Sequence, residues 1–228
     1  MEITHQIREE MTQFLMYANF IASRGYICNQ LGNIALRSNE VLEADQDLVI
    51  TKHRGISLEE MTDENIVGLG LNSNDLLFGE ITPSVGHALN REILINRSDI
   101  NAVIHVHVDE LIAYFSLFYD EQFRYISADA AIIVGSPPVI FPPELNIELD
   151  AKQASPAINN TNILILANHG VTVFGESISQ AYNRLNTITA EVRRLIWARQ
   201  LAQQNTTEVN YLDQSEVDEM YELGKKIL

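Results

Sequence analysis

Spacings of three and four residues between apolar positions predict helices at both ends of the chain and between them. The first predicted helix ends near Gly25, and a long helix near the C-terminus begins at the capping-box sequence from Ser177 to Gln180. The predicted helices are those before Gly25, after Pro83, over 110–119 and 144–155, from 177 onward, and from Ser215 to the end.

Short apolar or alternating runs predict strands between these helices. They cover 33–37, 47–51, 66–71, 101–108, 130–134, 138–141, 162–167 and 171–174. Because helices and strands alternate without a linker or an internal repeat, the sequence predicts a single α/β domain over 1–228, with C-terminal helices from about 177. Hairpin-length turns between strand pairs predict a mixed rather than purely parallel sheet.

The composition fits a folded domain with its own core. Of the 228 residues, 46% are hydrophobic and 20% are charged. A chain of this length buries enough surface to fold without disulfide bonds or structural metal ions. The single cysteine, Cys28, excludes an intrachain disulfide framework and cysteine-based zinc fingers. No N-terminal signal sequence and no bilayer-length apolar run is present, which predicts a cytoplasmic protein.

The net charge limits the classes of molecule that the protein is expected to bind. The chain has 31 acidic and 15 basic side chains and a formal net charge of −16. Such a surface repels a phosphate backbone and an anionic bilayer, so we expect no nucleic acid and no membrane among the partners. A small anionic substrate remains compatible with this charge if its pocket is locally positive.

The strongest chemical signal is the pair His105 and His107 in a predicted strand. Side chains two apart in a strand share one face, while Ile104 and Val106 point the other way. The pair can converge on one divalent metal or simply lie on a half-exposed strand. A third candidate, His169, ends an apolar strand, and three imidazoles with an open position would form a catalytic type of metal site. Zinc fits nitrogen ligands best, with manganese, iron or cobalt as alternatives.

Two further segments carry candidate chemistry. Lys52-His53-Arg54-Gly55 is the densest basic stretch of this acidic chain and is either an anion cradle or a solvated loop. His87 either acts as an acid or base or simply begins a helix.

His105-Val106-His107, followed by Asn168-His169-Gly170, resembles the class II aldolase/adducin family. Three other segments resemble family motifs in the same order, and the resemblance extends over about residues 5 to 200. These segments are Gly32 to Arg37, Ile50-Thr51 with Gly55, and Pro83-Ser84.

The resemblance implies an α/β/α sandwich around a largely antiparallel sheet and a homotetramer. It implies one divalent metal per chain, held by His105, His107 and His169. A phosphorylated or carboxylated sugar-like substrate would then undergo aldol cleavage, epimerisation or decarboxylation through an enolate. The implied substrate-binding residues are Gly32, Asn33, Arg54, Gly55 and Ser84.

Gly86 stands where the family pattern has a glutamate that moves protons and can ligate the metal. Neither Val85 nor Gly86 can move a proton, and the tyrosine acid of some aldolases has no clear counterpart. Conventional sugar-phosphate aldolase activity is therefore doubtful. His87 is the first candidate to take over the catalytic role, with Glu80 and Glu92 as the alternatives from the same stretch.

Two alternatives stay open. The chain could be a metal-binding relative that serves as a binding or scaffold protein. It could also be an all-β cupin, since Glu110 follows the histidine pair at a loosely similar spacing.

Overall fold

The computed structural model describes residues 3–26, 30–41, 47–80 and 82–227, so Cys28 lies outside the described residues. The strands are β1 (Asn33–Val41), β2 (Asp47–Lys52), β3 (Ile66–Gly70), β4 (Leu76–Phe78), β5 (Ala102–Val106), β6 (Val139–Phe141), β7 (Ile163–Leu166) and β8 (Gly170–Gly175). They form one sheet in the order β4-β3-β2-β1-β5-β8-β7-β6. Among the strands of the described ranges, only β6 and β7 pair in parallel, so the mixed, largely antiparallel sheet is confirmed.

Seven helices accompany the sheet in the described part of the chain. They are α1 (His5–Ser23), α2 (His87–Asn96), α3 (Asp109–Phe118), α4 (Ala128–Val134), α5 (Ser155–Ile158), α6 (Ile178–Asn205) and α7 (Gln214–Ile227). This helix content is incompatible with an all-β cupin. None of the helices in the described ranges has the length and apolar character needed to cross a bilayer.

The two faces of the sheet pack against different helices. In β1, Ile34 and Leu36 join a core that contains Phe14 of α1, whereas Ala35 joins a second core that contains Leu89 of α2. This alternation follows from the two-residue period of a strand and confirms the three-layer α/β/α sandwich. Phe14 is fully buried, so truncating it to alanine would cost about 3–5 kcal/mol.

Two predicted elements are wrong. The apolar run 130–134 lies in helix α4, not in a strand, because Ser127 caps that helix by accepting a hydrogen bond from the Ala130 amide. The segment 144–155 is not a helix but a loop that ends in a 3₁₀ turn over Ala151–Ala154. In that loop the Asn146 side chain accepts a hydrogen bond from the Glu148 amide, a local turn that competes with helix formation.

Candidate functional site

A row of polar side chains crosses three neighbouring strands. His105 of β5 lies directly opposite Asn33 of β1 and Thr172 of β8, and all three residues are buried. Ile104 belongs to the core on the opposite face of the sheet. The predicted orientation of His105 is therefore confirmed. The same row places the Gly32-Asn33 segment beside the histidine pair.

The other two histidines come from the ends of strands. His107 directly follows β5, and His169 lies in the tight turn between β7 and β8, where Asn168 adopts a left-handed φ of 60°. The residue after His169 must be small: a Cβ on Gly170 would lie 2.6 Å from the carbonyl oxygen of Val106 and 3.1 Å from the His107 ring. Gly170 thus allows the two strand ends to approach each other.

The three imidazoles converge. One ring nitrogen from each of His105, His107 and His169 lies within 4.8 Å of the others. The Nε2 atoms of His105 and His107 are 3.2 Å apart, close to the edge of about 3.3 Å of a tetrahedron with metal–nitrogen distances of ~2.0–2.1 Å. The geometry and the donor types therefore fit a divalent metal ion.

The electrostatic setting keeps these rings available as ligands. Burial lowers the pKa of His105, although Glu148 opposes the shift. Burial also lowers the pKa of His107 to about 4, with help from the other two histidines. The Nδ1 atom of His105 lies 2.9 Å from Thr172 Oγ1, and this hydrogen bond turns Nε2 toward His107. Neutral rings with a fixed orientation are the form that metals bind.

The histidines line a cavity of about 570 Å³. All the predicted substrate-binding residues line the same cavity, so the structure brings these two sets of candidates together. Their individual roles stay predictions. The lining residues are Gln30, Leu31, Gly32, Asn33, Arg54, Gly55, Ser84, Val85, Gly86, His105, His107, Ile112, Glu148, Asn168 and His169.

The basic stretch Lys52-His53-Arg54-Gly55 is fixed in place by its first residue, which is a buried cation. The Lys52 ammonium donates hydrogen bonds to the carbonyl oxygens of Gln30 and Ile56 and so ties two cavity-forming segments together. Burial lowers its pKa to about 8. The neighbouring Arg54 is exposed and lines the cavity, where it adds positive charge.

His87 lies apart from this group. Its side chain is buried at the start of α2, and its Nε2 donates a hydrogen bond to Asn74 Oδ1 at 3.0 Å. Burial, with a contribution from Arg91, lowers the pKa of His87 to about 4. His87 is not one of the described residues that line the cavity. The structure gives this side chain a packing position, and the catalytic role predicted for it has no support from the geometry.

The residue that sequence reasoning missed is Glu148. Its Oε2 lies 3.1 Å from His169 Nε2, and its Oε1 lies 3.7 Å from His105 Nε2. Burial alone would raise the pKa of this carboxyl, but the electrostatic interaction with His105 and a hydrogen bond from His169 lower it to about 2. No motif marks Glu148, and the segment that carries it was predicted to be a helix.

Comparisons with known proteins agree with this fold. The family model described as the class II aldolase and adducin N-terminal domain matches residues 13–194. An L-fuculose phosphate aldolase from Methanococcus maripaludis is 28% identical over 174 residues, which are 76% of this chain and 88% of that protein.

Solved structures show the same fold. An L-fuculose 1-phosphate aldolase superposes with a TM-score of 0.74 at 19% identity, covering 94% of this chain and 95% of its own. A sugar-phosphate aldolase from Thermotoga maritima superposes with a TM-score of 0.76 at 18% identity, covering 86% and 97%. Because the family model matches most of this chain, the chain belongs to the class II aldolase and adducin N-terminal domain family.

Proposed function

We propose that this protein is a divalent-metal-dependent lyase that acts on a small phosphorylated or carboxylated sugar-like substrate. The observation that carries the proposal is the convergence of three imidazoles within 4.8 Å in a cavity that Arg54 also lines. Aldol cleavage, epimerisation and decarboxylation all need negative charge to be stabilised next to a carbonyl group. A bound divalent metal would polarise that carbonyl and stabilise the charge.

His105, His107 and His169 would hold the metal. Nitrogen ligands favour zinc, and manganese, iron or cobalt are the alternatives. The hydrogen bond of His105 to Thr172 fixes the ring so that Nε2 faces the other histidines. Such outer contacts orient a ligand and raise its basicity.

Other residues that line the same cavity would bind the anionic group of the substrate. Arg54 offers a planar guanidinium that suits phosphate or carboxylate. Gly32, Asn33, Gly55 and Ser84 line the same cavity and supply backbone and side-chain hydrogen-bonding groups. In a chain with a net charge of −16, a local cation is needed to attract such a substrate.

The test is turnover by the zinc-loaded protein on a matched panel: L-fuculose 1-phosphate, the same sugar without phosphate, and a sugar acid of similar length. We expect cleavage or decarboxylation of at least one anionic member, none of the neutral sugar, and loss of activity in His107→Ala. Full metal occupancy without turnover of any member would contradict the lyase proposal. It would favour the alternative of a metal-binding scaffold protein.

The assembly is part of the proposal. The resemblance supports a homotetramer, and the exposed apolar side chains of Trp197 and Leu201 on α6 are compatible with subunit contacts. Light scattering should give about four times the chain mass of 25.7 kDa, and a monomer would contradict it. The location in the cytoplasm stays a prediction of the sequence.

A further inference from the structure

Glu148 is held at the histidines by the loop that carries it. The preceding residue, Ile147, is fully buried in the core on the histidine side of the sheet. Asn146 accepts the amide hydrogen of Glu148 at 3.1 Å. With its neighbours fixed in this way, the Glu148 side chain extends into the cavity and is only 12% exposed.

From two of the three histidines, the carboxylate lies at the distances expected between ligands of one metal ion. Its oxygens are 3.1 Å from His169 Nε2 and 3.7 Å from His105 Nε2, around the edge of about 3.3 Å of a tetrahedral zinc site. An imidazole that ligates a metal is neutral, so it offers the carboxylate no charge. A carboxylate buried beside such ligands needs a cation, and a metal at this point would supply it.

Gly86 leaves the space that this carboxylate fills. A Cβ built on Gly86 would lie 2.3 Å from Glu148 Oε1 and 2.5 Å from Asn33 Nδ2, far inside contact distance. The backbone of Gly86 is helical, with φ −67° and ψ −1°, a conformation open to any residue. A side chain at position 86 would therefore have to displace the Glu148 carboxylate and the Asn33 amide, while the backbone itself accepts any residue.

We propose that Glu148 is the fourth protein ligand of the metal. The carboxylate thus enters the site from the loop at 142–150, through the space that a side chain at position 86 would otherwise occupy. The inference rests on the metal-binding part of the proposed function. The alternative arrangement is a metal held by three histidines and a water molecule. In that arrangement Glu148 would only accept a hydrogen bond from His169.

Zinc affinity, measured by competition with a chromogenic chelator, separates the two arrangements. Glu148→Gln keeps a hydrogen-bond acceptor for His169 but removes the charge. An outer-shell partner is worth ~10–100-fold in metal affinity. If Glu148 is a ligand, we therefore expect Glu148→Gln to lower zinc affinity by more than ~100-fold, whereas a smaller loss would leave Glu148 outside the ligand set. Glu144→Gln is the matched control, since Glu144 is exposed on the same loop and its replacement should change nothing.

Gly86→Ala tests the same proposal without altering Glu148. The added Cβ must displace the carboxylate, so zinc affinity should fall while the circular dichroism spectrum stays unchanged. The double variant Gly86→Glu with Glu148→Ala returns a carboxylate from the other side and should recover part of the affinity lost in Glu148→Ala.

The outcomes separate this inference from the proposed function. If His107→Ala loses zinc while Glu148→Gln and Gly86→Ala bind it as tightly as the wild type, Glu148 is not a ligand and the three-histidine site stands. If the wild type takes up no zinc, manganese, iron or cobalt, the metal centre and this inference both fail. If Glu148→Gln does not fold, the affinity of Gly86→Ala decides.

Discussion

Replacing Thr172 with valine should weaken metal binding while the fold stays intact. Thr172 is fully buried on β8, and its hydroxyl lies 2.9 Å from Nδ1 of His105 on the neighbouring strand. When His105 binds metal through Nε2, the ring proton sits on Nδ1 and donates to this hydroxyl. Valine has nearly the same shape but cannot accept the proton.

The structure gives the size of the effect. His105 is only 1% exposed, so in the Thr172→Val variant its Nδ1 proton stays buried without an acceptor, at a cost of about 1–3 kcal/mol. The metal-free protein escapes this cost by moving the proton to Nε2, so the penalty falls on the metal-bound state. At ~1.4 kcal/mol for each factor of ten, zinc affinity should fall roughly 10–100-fold.

The assay is chelator competition for zinc, followed by thermal unfolding of the metal-free proteins. Thr189→Val is the control, because Thr189 is also fully buried and donates its hydroxyl hydrogen to the Leu185 carbonyl within α6, at 2.8 Å. We expect the control to keep the zinc affinity of the wild type. Equal affinities for Thr172→Val and wild type would show that His105 does not ligate through Nε2 in the proposed way.

Three further predictions concern other parts of the structure. Arg54→Gln should raise the KM for the anionic substrate at least tenfold with little change in kcat, since a hydrogen bond to a charged group is worth about 1.5–3 kcal/mol; an unchanged KM would remove Arg54 from the anion site. Lys52→Met should also raise KM, because the two segments joined by Lys52 would separate; steady-state kinetics with an unchanged KM would contradict this. Burial lowers the pKa of His87 from 6.5 to about 4. Below pH 6.5 the unfolded chain therefore binds a proton that the folded chain excludes. The free energy of unfolding should fall by roughly 3 kcal/mol as the pH drops to 4. His87→Gln should flatten that part of the pH profile of urea unfolding in metal-free protein, and an unchanged slope would contradict the burial of a neutral His87.

Local patterns predicted those features that depend on neighbouring residues. The two-residue period of β5 placed His105 on one face and Ile104 in the opposite core, and the Ser177 cap marked the start of α6. A short apolar run carries no such period, since five apolar residues in succession fit a strand and a helix equally well. For this reason 130–134 was predicted as a strand, although it packs as part of helix α4.

The sequence by itself determined the histidine pair and the mixed sheet that holds it, because both follow from spacing along the chain. The segments predicted to bind an anion came from the resemblance to the family. Only the tertiary structure decided which groups meet. The sheet order sets Asn33, His105 and Thr172 side by side, and the turn before β8 adds His169. Glu148 reaches this site because Ile147 anchors a loop and Gly86 leaves room for a carboxylate. Contacts between segments this far apart depend on packing and shape, which no local pattern of residues encodes.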